Sequence, residues 1–150
     1  MIAILQRVTE ASVEINKEIK SSIENGLFVL IGIVSTDTNE DIEWVVKKII
    51  QMRIFGDQEG KMNLSLKDID GELLIVSQFT LLASTKKGNR PSFIDAASPE
   101  TSIPLYEKFL SACEKELGKE IKSGEFGADM KVRLLNDGPV TISIDSKEKK

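Results

Sequence analysis

Leu27-Phe28-Val29-Leu30-Ile31-Gly32-Ile33-Val34 decides the fold. A strand with one wet face alternates apolar and polar residues, and this run does not, so it reads as a central strand covered on both faces. Toward the N-terminus, residues 2–8 and 12–16 read as two strands joined by a short turn. Ile2 and Ile4 share one parity and Ala3, Leu5 and Arg7 the other; Val13 and Ile15 then alternate with Ser12, Glu14 and Asn16. Asn16-Lys17 marks another turn, and 18–23 continues as an edge-like strand with Ile19 and Ile23.

Downstream, Thr38 and Asp41 form a variant capping box ahead of a helix. Ile42, Val45, Val46, Ile49 and Ile50 fall on one stripe of it. Asp57-Gln58-Glu59-Gly60 and Asp70-Gly71 are turns, with a strand at 72–77. A second helix spans about 100–117 and buries Leu105, Tyr106, Phe109, Leu110, Cys113 and Leu117 before Gly118 stops it. Pro104 places its start near Ser102 or a kink there. Met130, Val132 and Leu134, then Val140, Ile142 and Ile144, alternate with polar residues as two last strands, and Gly138-Pro139 reads as a turn between them. The charged tail from Ser146 to Lys150 is expected to fray. The order β-β-β-β-α-β-α-β-β predicts one α/β domain over 1–145. It has a mixed β-sheet, two main helices and extra strands in a further layer, a three-layer α/β/β arrangement.

At 150 residues, 41% hydrophobic and 29% charged, the chain has the composition of an ordinary globular protein with a real core. No apolar run approaches the roughly 20 residues of a membrane helix, so no membrane partner is expected. The N-terminus reads as a first strand rather than a signal peptide. One cysteine, Cys113, leaves no internal disulfide, sits on an apolar helix stripe as packing, and fits a reducing cytoplasm. The net charge of −4 argues against nonspecific coating of nucleic acid. Lys86, Lys87 and Arg90 form either a local basic patch or a solvated loop. The absence of histidine removes Ser-His and Cys-His pairs, histidine bases and the commonest zinc sites.

Two polar segments interrupt the apolar strands. Ser77-Gln78-Phe79-Thr80-Leu81 puts hydrogen-bonding side chains where a strand should end, and Asn136-Asp137-Gly138-Pro139-Val140-Thr141 sets Gly-Pro between alternating stretches. Each has a plain structural reading, as hydroxyls satisfying local backbone and as a tight turn. Phe126 and Met130 read equally as core residues. Thr80 is a weak nucleophile without a base beside it.

Both segments resemble the D-aminoacyl-tRNA deacylase family, through its Ser-Gln-x-Thr-Leu and Asn-x-Gly-Pro-x-Thr motifs. Gln6-Arg7-Val8, Arg53-Ile54-Phe55, Gly60-Lys61-Met62-Asn63-Leu64-Ser65, Lys87-Gly88-Asn89-Arg90-Pro91-Ser92-Phe93 and Phe126-Gly127-Ala128-Asp129-Met130 extend the likeness over about residues 1–145 in order. The resemblance implies a homodimer in which a cis Gly138-Pro139 peptide faces the other subunit's active site. It implies that Ser77, Gln78, Phe79 and Thr80 line the catalytic pocket for the 3′-terminal adenosine and its amino acid. Phe126 and Met130 would shape that pocket, Arg7 would help fix the Gly-Pro turn, and Asn136 joins the substrate-binding set. Lys86, Lys87 and Arg90 would meet RNA phosphates. The substrate would be aminoacyl-tRNA, with no cofactor and no metal. Two other readings predict different behaviour: a noncatalytic module that binds the aminoacyl-adenosine end or another small nucleotide ligand, and a structural homodimer locked by its Gly-Pro turn.

Overall fold

The structure, a computed structural model, describes residues 1–149, so Lys150 of the expected tail lies outside the described residues. The strands are β1 (Ile2–Ile15), β2 (Glu18–Ile23), β3 (Gly26–Gly32), β4 (Phe55–Gly56), β5 (Met62–Leu64), β6 (Glu72–Ser77), β7 (Lys122–Ser123) and β8 (Lys131–Asp145). The helices are α1 (Asn39–Gln51) and α2 (Pro99–Leu117), with a short 3-10 turn at Phe79–Leu82.

β3 occupies the position its apolar run requires. It pairs antiparallel with β1 on one side and parallel with β6 on the other, so the sheet is mixed. Leu27, Val29 and Ile31 project into a core shared with Ile42, Val45 and Ile49 of α1 and Phe109 and Cys113 of α2. Phe28 projects the opposite way, into a smaller core with Val8, Ala11, Val13, Ile23, Leu74 and Val76. Both faces are dry, which is why the run never alternates.

The further layer is the same sheet rolled over. In the strand order β2-β1-β3-β6-β7, β2 and β7 stand at opposite ends, yet the Ser21 hydroxyl donates to Ser123 O at 2.6 Å. Residues 2–8 and 12–16 are not two strands but the single β1, whose register against β8 shifts between Gln6 and Val8 and again between Val8 and Glu10. Each shift resets which parity faces inward, so Ala3 and Leu5 serve one core while Val8, Ala11 and Val13 serve the other. β8 is likewise one strand, pairing along the outer edge of β1 from Ile2↔Asp145 to Glu14↔Lys131. Gly138-Pro139 therefore lies within a strand and is not a turn between two.

α1 begins as its capping residues require: the Asp41 carboxylate accepts from the Thr38 N–H at 2.8 Å and the Thr38 hydroxyl at 3.0 Å. α2 starts at Pro99, before Ser102, and runs through Pro104. Proline fits the first helical position, and the carbonyl that loses its donor to Pro104 belongs to Glu100, an exposed residue within reach of water. Gly118 ends α2 at φ 81°, a left-handed conformation suited to glycine.

The expected fraying does not begin at Ser146, which is buried. The Met1 ammonium donates to Ser146 Oγ at 2.9 Å and to the buried Asp37 carboxylate at 2.6 Å, while Ser146 N–H donates to Met1 O at 2.9 Å. Lys147 Nζ reaches Asp41 at 2.7 Å. Burial disfavours the Asp41 carboxylate, but hydrogen bonds from Lys147, Ser146 and Thr38 outweigh it and hold its pKa far below the ordinary range. Among the described residues no helix is long and apolar enough to cross a membrane.

Candidate active site

β6 carries the first candidate segment to the rim of an open pocket. Its buried residues Leu73 to Val76 end at Ser77, where Gln78 N–H makes the last sheet-like bond to Ile31 O at 2.8 Å and the chain tightens into the 3-10 turn. The pocket measures about 690 Å³ and is lined by Ser77, Gln78 and Phe79 together with Phe126 and Met130. Residues 72 and 126 are far apart in sequence; β7 beside β6 brings the second group back to the first. Thr80 stands exposed just beyond the rim.

Sequence reasoning missed much of the lining. Ile31 and Ile33 come from the end of β3, Phe93, Ala96 and Ala97 from the loop before α2, Pro99 and Ser102 from its first turn, and Val132 from β8. Only Phe93 carried a signal, as the end of the segment that contains Lys87 and Arg90. Its ring meets Phe79 edge-on at 5.1 Å between centroids. Tyr106 supports the wall from behind, donating to Ile75 O at 3.2 Å and packing 5.8 Å from Phe126. Burial, with Cys113 adding to it, pushes the Tyr106 phenol well above its ordinary range, so this side chain stays neutral. Burial does the same to Cys113, with Glu114 adding to it, and keeps the thiol unreactive within the core.

The polar rim contains no proton-transfer pair. The Thr80 hydroxyl oxygen accepts a hydrogen bond from the Gln78 amide. An amide N–H is a donor and cannot act as the base that an attacking threonine needs. Phe79 and Thr80 open the 3-10 turn, and among the described residues their backbone N–H groups have no backbone partner. The turn thus leaves main-chain donors without a backbone partner at Phe79, in the pocket lining, and at Thr80 next to it, which suits developing negative charge on an oxygen.

The remaining candidates lie elsewhere on the chain. Lys86, Lys87 and Arg90 are all exposed on a loop closed by paired hydrogen bonds between Ser84 and Ser92, at 2.8 and 2.9 Å. That loop leaves the 3-10 turn directly, through Ala83 N–H to Thr80 O at 3.1 Å. Gly138 and Pro139 do not line the pocket of their own chain. They are exposed on β8, their peptide bond is cis, and Gly138 has φ 141°. Arg7 braces this corner: its Nε lies 3.1 Å from Asp137 O and 3.0 Å from Asp137 Oδ2, while NH1 donates to Ile54 O at 2.5 Å. Asn136 sits at the base of the corner, half-buried.

Comparison with known proteins places the chain in a family. The profile of the D-Tyr-tRNA(Tyr) deacylase family matches residues 4–145. The chain belongs to that family. It is therefore a hydrolase. Two curated relatives named D-aminoacyl-tRNA deacylase illustrate the likeness. The one from Cytophaga hutchinsonii is 64% identical over 149 residues, covering 99% of each chain. The one from Christiangramia forsetii is 59% identical over 150 residues, covering 100% of each. Among solved structures, one titled c-Myc DNA Unwinding Element Binding Protein superposes with a TM-score of 0.89 at 44% identity, covering 97% of this chain and 98% of that one. A probable eukaryotic D-amino acid tRNA deacylase superposes at 0.83 with 20% identity, covering 95% and 97%, a likeness of fold alone.

Proposed function

We propose that the protein hydrolyses the ester joining a D-amino acid to the 3′-terminal adenosine of tRNA, releasing the free amino acid and tRNA. The observation that carries this is the pocket edged by Ser77 to Phe79, where unpaired main-chain donors stand beside an apolar cavity of about 690 Å³. The cavity accepts the terminal aminoacyl-adenosine, and Lys86, Lys87 and Arg90 on the adjoining loop contact the phosphates of the strand leading into it.

Water attacks the ester carbonyl, the bond to the ribose oxygen breaks, and the proton lost by the water ends on that oxygen. The chain has no histidine, and its threonine accepts an amide hydrogen bond, so the ribose 2′-hydroxyl next to the ester orients the water. The Phe79 and Thr80 N–H groups stabilise the oxyanion, a contribution of about 3–4 kcal/mol per donor in other enzymes.

Handedness is screened by main chain. The family resemblance implies that Gly138 and Pro139 enter the pocket of a second copy in a homodimer, and their exposure, away from the pocket of their own chain, leaves them free to do so. There the corner binds the α-amino group and leaves room for hydrogen alone on the L side. Glycyl esters pass the same filter, and D-side-chain identity matters little.

Incubating the purified protein with D-, L- and glycyl-tRNA and measuring ester loss tests the reading. Loss of D- and glycyl esters with L-esters spared supports it. Stoichiometric binding without release, or equal hydrolysis of D and L, rejects it.

A further inference from the structure

The family resemblance implies a substrate-binding Asn136, whereas its side-chain hydrogen bonds go to main chain. The register of β8 on β1 passes from Val8↔Asn136 to Gln6↔Thr141, so Asp137, Gly138, Pro139 and Val140 all stand opposite the lone Arg7. The corner is thus a wide bulge within β8 at the edge of the sheet, and it needs a closure at its neck. Asn136 supplies one: its Nδ2 donates to Arg7 O at 2.9 Å and to Val140 O at 3.1 Å. The two acceptors lie on opposite sides of the neck, one on β1 and one where β8 resumes its pairing with β1. An asparagine amide has two N–H donors, and both are spent on main chain, so neither is left for a ligand.

We infer that Asn136 is a positioning residue, a clamp that fixes the Gly138-Pro139 corner through Arg7 O and Val140 O and thereby sets discrimination between D- and L-esters. The inference rests on the chiral reading proposed above. Arg7 braces the outer wall of the same bulge through Asp137 and Ile54, so loss of the clamp loosens the corner without dissolving it.

Asn136→Ala removes both donors and Asn136→Ser leaves one hydroxyl. Each is compared with wild type in initial rates on D- and L-aminoacyl-tRNA and in a thermal melt. The expected result is a cooperative melt, an L-ester rate that rises relative to the D-ester rate, and a D/L ratio reduced about tenfold or more, with serine milder than alanine. An unchanged ratio, or equal loss on both esters, overturns the clamp. Failure of both variants to fold overturns it too, because Asn136 would then hold the chain rather than the corner. If wild type spares L-esters and the variants keep its ratio, only this inference falls. If wild type shows no preference between D and L, the chiral reading falls with it.

Discussion

Replacing Gly138 with alanine tests the corner at its tightest atom. A Cβ built there would lie 2.7 Å from Val140 N, 2.9 Å from Val140 Cγ2 and 3.1 Å from Arg7 NH2, at φ +141°. Ordinary contact distances are about 3.5–4.0 Å, so the bulge must retreat by about 0.6–0.8 Å at least. The nearest obstacle is main chain in the same bulge, which cannot swing aside as a long side chain does. The backbone conformation adds about 1–3 kcal/mol for an L-residue, which in a chain of this size corresponds to a fall of about 2–12 °C in Tm. A displacement approaching 1 Å at a reacting centre costs on the order of a hundredfold in rate. Gly138→Ala should therefore lower the melting temperature, cut single-turnover hydrolysis of D-esters by about one to two orders of magnitude, and shrink the D/L ratio. A variant that melts lower yet keeps the D-ester rate and the D/L ratio within about twofold of wild type would refute the reasoning and leave the corner a structural element only.

Thr80→Ala should keep most of the wild-type rate, because the Thr80 oxygen already accepts from Gln78, whereas tRNA ending in 2′-deoxyadenosine should not turn over; the reverse pattern in a rapid-quench assay restores Thr80 as nucleophile. Neutralising Lys86, Lys87 and Arg90 together should raise KM, leave kcat, and flatten the dependence of log KM on log salt by about 2 units if each meets one phosphate of a single strand. An unchanged salt slope would return that loop to solvent. The depressed pKa of Asp41 means its contribution to stability is complete above the unfolded carboxylate value, about 3.9, and fades as pH falls below it. The Tm advantage of wild type over Asp41→Asn should accordingly hold from about pH 6 to pH 4 and shrink in melts from about pH 4 to pH 2, and a constant difference throughout would refute the assignment.

The elements with one uninterrupted signal were legible in the sequence. β3 declared itself by lacking alternation, and α1 by a stripe that starts just after its capping pair. The two longest strands were not legible, and for the same reason in each. A bulge resets parity, and a reset read along one strand looks like a turn; only the partner strand reveals that pairing continues across it. α2 was misplaced at its start because Pro104 looks prohibitive until the position of Glu100 in solvent is known. Of the site, the contiguous motif Ser77 to Thr80 could be read, while Ala96, Ala97 and Ser102 could not. Small residues owe their place in the lining to loops packed from elsewhere in the chain, and nothing in their own neighbourhood marks them.

The long pairing between β1 and β8 also bears on how the protein is made. Residues 2–14 receive their outer neighbour only from residues 131–145, and Met1 finds Ser146 later still. A ribosome releases the first strand long before the last, so throughout synthesis one edge of β1 stays open to foreign strands. The bulges and the charges of Arg7, Glu10 and Glu14 along it discourage mispairing during that interval, and the sheet gains its final edge only as translation nears its end.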